Sequence, residues 1–234
     1  MAQIQLIVTG ELEKLALHEA LNQVTVFAQA NINFLKPQYK MESFTSGDVS
    51  KIPPKPHRTD GNIDKLAAAL VAEINLSKPP DMVIVIDDLE IINLHQPELV
   101  ASCFHDAVDW YIQHYNWASE RTRQSRISRL RDSCSFHMLV PMVEAYFFGE
   151  VPNALNRAGA VLQSTVSGSH IDVEKFEVKN DHDYLNAPKG TSFWAKNPND
   201  RIQHPKRYLD YLCCSDVTLN RASRYRETKG GLKH

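Results

Sequence analysis

Three carboxylates arrive within four residues in the segment MVIVIDDLE: Asp87, Asp88 and Glu90 follow the unbroken apolar run Met82 to Ile86. An apolar run without alternation suits a strand buried on both faces, the signature of a parallel sheet. Ligands of such sheets bind in the crevice beyond the carboxyl ends of the strands. The acids therefore stand where chemistry is done. Glu13 is a second source of negative charge. At about 100° per residue it falls within the arc of Leu17, Ala20, Val24 and Phe27, an inward position that is costly for an ionised side chain without a partner. Glu144, in VPMVEAYFFG, is a third, again just beyond an apolar run. Two unit charges about 4 Å apart repel by roughly 4 kcal/mol at an effective dielectric near 20. No Lys or Arg lies within these strand-tip segments to offset that. A hard divalent cation, Mg²⁺ or Mn²⁺, would do so through oxygen ligands, and such ions handle phosphates. Glu13, Asp87, Asp88 and Glu90 are the candidate metal ligands, and Glu13, Asp87, Asp88 and Glu144 the candidate catalytic groups.

The elements that must position these residues are legible as alternating strands and helices. Strands are expected at 4–8, 39–44, 82–86 and 134–140, and helices at 11–29, 63–76, 97–117 and from Met142 onward. Residues 46–62 read as a polar, proline-bearing loop. The order β-α-β-α-β-α-β-α predicts an α/β fold, an open, mainly parallel sheet with helices on both faces. Residues 1–150 form this domain, and residues 151–234 a less regular extension with a basic C-terminal helical part.

Composition narrows the function classes. With 26 Lys and Arg against 28 Asp and Glu, bulk charge does not single out a nucleic-acid partner. The basic residues are instead grouped. Residues 120–132 carry five arginines, whose forks suit phosphate. Residues 186–234 carry ten Lys and Arg against four Asp and Glu, with tyrosines interleaved. Arg129, His204, Lys206, Arg207 and Lys229 are the candidate phosphate contacts of a DNA or RNA substrate. Four cysteines without CxxC spacing argue against a zinc site or a disulfide framework. No basic leader precedes the short apolar start, and no run reaches the ~20 residues of a membrane span. A cytoplasmic protein with no membrane partner is expected. Without Walker A, GxGxxG or GxSxG motifs, the chain itself is not expected to bind ATP or a dinucleotide, or to act as a serine hydrolase.

The segments LIVTGELEKLALHEAL, MVIVIDDLE and FHMLVPMVEAYFFG resemble, in order, the motifs of Toprim domains. They are most similar to small Toprim-like proteins related to OLD-family nucleases, which stand beside ABC-type ATPases in bacterial anti-phage defence loci. HPKRYLDYL and RYRETKGG resemble a basic C-terminal part of the same proteins. The family's first motif has acids at two positions, and here they hold Thr9 and Glu13. Asp87, Asp88 and Glu90 match the acidic strand end without strict Asp-x-Asp spacing, and Glu144 matches a later acid. The resemblance implies a Mg²⁺-dependent nuclease with an ATPase partner. With Thr9 in place of an acid, it also admits a weak or inactive subunit that serves as an interaction partner. A phospho-accepting receiver domain would need an acidic pair after the first strand, which Thr9-Gly10 does not supply.

Overall fold

The computed structural model describes residues 1–38, 41–149, 153–166, 168, 170–190, 193–195, 197–214 and 225. They fall into two compact units, Met1–Met138 and Leu139–His234, a division placed about a dozen residues before the expected one.

In the first unit, β1 (Ala2–Val8) is buried from Ile4 onward and leads through Thr9-Gly10 into a π-helical turn, Glu13–Leu17. That turn continues as α1 (His18–Asn22) and is followed by α2 (Thr25–Gln29) and β2 (Ile32–Leu35). A loop with one 3₁₀ turn, Val49–Lys51, precedes α3 (Asn62–Ile74) and β3 (Met82–Asp88). Then come α4 (Pro97–His114), α5 (Glu120–Ser133) and β4 (Cys134–Leu139). The four strands make one parallel sheet in the order β2-β1-β3-β4, as expected for the α/β class. In α3, Ile63, Leu66, Leu70 and Ile74 are buried at helical spacing; in α4, Val100, Phe104, Val108 and Ile112 are.

This order places a switch point beside β1. The chain leaves β1 toward β2 on one side and crosses back to β3 on the other, so the connections from β1 and β3 diverge at their carboxyl ends. Register pairs Val8 with Ile86. The residues just beyond, Thr9 and Asp87, are therefore neighbours at the place where open α/β sheets bind ligands.

Three expected elements are corrected. The second strand is Ile32–Leu35; of the strand expected at 39–44, residues 41–44 are not strand, and residues 39 and 40 lie outside the described residues. The helix expected over 11–29 breaks at Val24, whose backbone is extended. One residue explains both: the Asn22 side chain donates to the Phe34 carbonyl at 2.9 Å and accepts from its amide at 2.8 Å. Asn22 thus ties the end of α1 to the backbone of the edge strand. The third correction lies beyond Pro141, where an extended Met142 leads into a 3₁₀ helix, Val143–Phe148, in place of an α-helix.

The second unit also contains α6 (Ala154–Ala158), α7 (His182–Asn186) and α8 (Pro205–Leu212). Its core is aromatic, with Phe148, Phe176, Tyr184, Trp194, Tyr208 and Tyr211 all buried. Arg201, fully buried, organises the surrounding loops by donating to the carbonyls of Tyr184, Ala187 and Ala195 at 3.1, 2.5 and 3.1 Å. Among the described residues no helix is long and apolar enough to cross a membrane.

Candidate functional site at the carboxyl ends of β1 and β3

Asp87 is 1% exposed. Its Oδ1 accepts from the Thr9 hydroxyl at 2.5 Å and from the Asp88 amide at 2.9 Å. Its Oδ2 is buried without a hydrogen-bond partner. Burial raises the carboxyl above the usual aspartate range, and this is offset only in part by the Thr9 hydroxyl and the Asp88 amide, with Ser43 and the Phe44 amide nearby but outside hydrogen-bond geometry. Among the described residues no Lys, Arg or His forms an ion pair with it, and the leading contributions to its charge state come from burial and neutral donors.

Glu13 lies on the other side of the same turn. It is 3% exposed, and its carboxylate is folded against Gly10, so that a Cβ at Gly10 would lie 1.8 Å from Oε2. Gly10 is needed for this close approach rather than for a left-handed conformation. The Glu13 carboxyl thus meets Gly10 and the Asp87 carboxyl meets Thr9, neighbouring residues of one dipeptide.

A loop covers the tip of β3. The Thr45 hydroxyl donates to the Asp88 carbonyl. Fully buried Asn93 donates to the carbonyls of Thr45 and Gly47 at 2.6 and 3.0 Å and accepts from the Val49 amide at 3.1 Å. Asp88 is half-buried, and so is Glu90, which sits at φ 57 in the left-handed region rarely used by residues other than glycine.

Among the described residues, no group of three or more His, Cys, Asp or Glu side chains is placed to hold a metal ion. The four-carboxylate shell expected from Glu13, Asp87, Asp88 and Glu90 is not assembled. What fits a cation is a smaller donor set: the orphaned Oδ2 of Asp87, with Glu13 across the dipeptide. That is compatible with Mg²⁺, which often takes only one or two protein carboxylates and completes its shell with water and substrate phosphate.

The remaining candidates are held elsewhere. Glu144, 3% exposed in the second unit, forms an ion pair with Lys206 at 3.2 Å. Arg207 donates to Asp200 and to the Asn197 carbonyl at 3.2 and 3.0 Å. His204, at the start of α8, is pushed down to about 3 by burial and by Arg207 and Lys206, so it is neutral near pH 7. Arg129 donates to the Pro80 carbonyl, anchoring α5 to the approach to β3. Lys229 lies outside the described residues. The sequence reading missed Ser43, Thr45 and Asn93 and gave Thr9 no part in holding Asp87. Ser43 falls in the segment expected as a strand, and Thr45 and Asn93 fall between expected elements, so polarity is their only signal.

No family model matches the chain, and neither a curated protein nor a solved structure does.

Proposed function

We propose that the chain is a divalent-cation-dependent nuclease acting on phosphodiesters of DNA or RNA, with its site at the switch point between β1 and β3. One observation carries this reading: Asp87 is a buried carboxyl at a sheet's ligand crevice, with an unpartnered oxygen and, among the described residues, no cationic side chain paired with it. Such a group is a functional-site candidate on physical grounds. A bound Mg²⁺ or Mn²⁺ would supply charge neutralisation at the phosphodiester oxygens. Asp87 and Glu13 would hold the ion, Thr9 would orient Asp87, and Gly10 would leave room for Glu13. Because both carboxyls are buried, the loop carrying Ser43 and Thr45 has to open for substrate to enter. A cytoplasmic location is supported by the free state of all four cysteines. An ABC-type ATPase partner and a role in anti-phage defence rest on the Toprim-like motif order alone.

A second reading, an inactive subunit that binds an ATPase, is favoured by the Thr9 hydroxyl on Asp87 where the family motif has an acid. The two readings separate on plasmid DNA and single-stranded RNA in Mn²⁺ or EDTA. Wild type should cleave in Mn²⁺ only, and Asp87→Ala should not cleave. Gly10→Ala should weaken Mn²⁺ binding by displacing Glu13, seen as a smaller melting-temperature gain with the ion. Cleavage that survives Asp87→Ala would sink the nuclease reading. Absence of cleavage by wild type, with its ATPase and ATP present, would favour the interaction subunit.

A further inference from the structure

The first unit contains a cleft of about 390 Å³ between α3, α4, α5 and β4, well away in sequence from the Thr9–Asp87 turn. Its floor is buried Leu70, Phe104 and Val108. Phe136 of β4 stacks on Phe104 with ring centroids 4.5 Å apart, yet stays half-exposed. The opposite wall is α5. That helix has only two aliphatic residues, Ile127 and Leu130, at i and i+3; both face the cleft, and no residue of α5 is buried. Arg129 ties the helix to the Pro80 carbonyl. Space for roughly a dozen waters, at ~30 Å³ each, lies against an aromatic floor.

The rim supplies polarity. Arg131, in the last turn of α5, lines the cleft, as do His105 and Asp109, four residues apart on one face of α4. An apolar hollow of this size with a few polar groups at its mouth has the anatomy of a small-molecule site. Arg131 stays charged throughout the accessible pH range and, being exposed, can reorient toward an anionic head.

We infer that the α5 cleft binds a small amphiphilic anion, its flat apolar body against the half-exposed Phe136 ring and its acidic group at Arg131. This stands on packing alone and is independent of the nuclease reading.

Anilinonaphthalenesulfonate, an aromatic body with one sulfonate, is a direct probe. Its fluorescence on the native protein should saturate at one molecule per chain. Leu130→Trp, which fills the cleft from a half-exposed position, should weaken binding about tenfold or more, and Arg131→Glu should weaken it severalfold. Uncharged N-phenylnaphthylamine should also be lost in Leu130→Trp but be indifferent to Arg131→Glu. Circular dichroism and melting check that the variants are folded; should Leu130→Trp not fold, the Arg131→Glu contrast between the two probes decides. Binding that does not saturate, or that Leu130→Trp leaves intact, overturns the inference. So does a dimer by light scattering that Leu130→Trp dissociates, which would assign the cleft to a second copy of the chain.

Discussion

Asp64 and Asp87 belong to the same unit and are equally buried, at 0% and 1% exposure, but they are held in opposite ways. Asp64, in the first turn of α3, receives the Arg58 fork at 3.0 Å (Nε to Oδ2) and 2.9 Å (Nη2 to Oδ1). It also accepts from the Gly61 amide at 3.1 Å and pairs with Lys55 at 3.2 Å. Lys55 in turn sits over the Trp110 ring, 4.4 Å from its centroid. Burial pushes the Asp64 carboxyl up, but Arg58, Gly61 and Lys55 outweigh it and hold the group below its ordinary range. Asp87 has no cation paired with it among the described residues, one oxygen without a partner, and a carboxyl raised by the same burial. A buried acid completed by its own chain is doing structural work, pinning the loop of Lys55 and Arg58 onto α3 and α4. A buried acid left incomplete at a ligand crevice is the one that awaits something else.

The largest expected effect tests the completed member. Asp64→Asn leaves Lys55 and Arg58 as buried cations without their carboxylate, a loss of roughly 3–5 kcal/mol, measurable by urea denaturation at pH 7. The sign with pH follows from a folded-state value below the unfolded one, near 3.8. The stabilisation is present above the unfolded value and is lost as pH falls through the depressed folded one. Wild type should therefore show an acid-labile component that Asp64→Asn lacks. A variant as stable as wild type would remove the contrast between the two aspartates.

Local pattern made part of this legible. β1 and β3 are apolar runs with sharp polar ends, and α3 and α4 carry their buried residues at helical spacing, so their positions and the α/β class follow from neighbouring residues alone. β2 did not, because only four residues make it and its edge is completed by Asn22, twelve positions before Phe34. At the site, the importance of Asp87 and Glu13 could be read from carboxylates in apolar surroundings. Their completion could not: Thr9 reaches Asp87 across 78 positions, and Thr45 and Asn93 bridge a loop that carries no periodic signal. Glu144 misled for the same reason. Its apolar flanks mark it as buried, but its partner Lys206 is 62 residues further on.

A smaller effect probes how Asp87 is charged. Thr9→Val removes the hydroxyl while keeping the branched shape. Hydrogen bonds to a neutral group contribute about 0.5–1.5 kcal/mol and those to a charged one about 1.5–3. The cost of Thr9→Val should therefore be at the lower level at acid pH, where Asp87 is protonated, and rise toward the upper level once Asp87 ionises. Denaturation of both proteins at closely spaced pH values locates that rise. Because the folded-state carboxyl is raised, the rise should fall above the ordinary aspartate range. A cost that is flat with pH would mean that Asp87 does not titrate where its burial requires.

The smallest effect has the opposite sign from the first. Asp87→Asn keeps an oxygen to accept from Thr9 and from the Asp88 amide and puts a neutral nitrogen where Oδ2 now lacks a partner. In wild type the folded-state carboxyl lies above its unfolded value of 3.8. Ionisation is therefore harder in the folded protein, and stability falls as pH rises from the unfolded value through the folded one. Asn escapes that fall. The metal-free variant should be modestly more stable than wild type at pH 7, with the gap closing as pH drops below 4, where both side chains are neutral. The same substitution should abolish any melting-temperature gain from Mn²⁺, since binding to the folded state alone is what raises it. A variant less stable than wild type at every pH would make Asp87 a second Asp64, an acid held for structure. A variant that is stabilised and still gains from Mn²⁺ would keep the contrast between the two aspartates but move the cation away from the β1–β3 switch point.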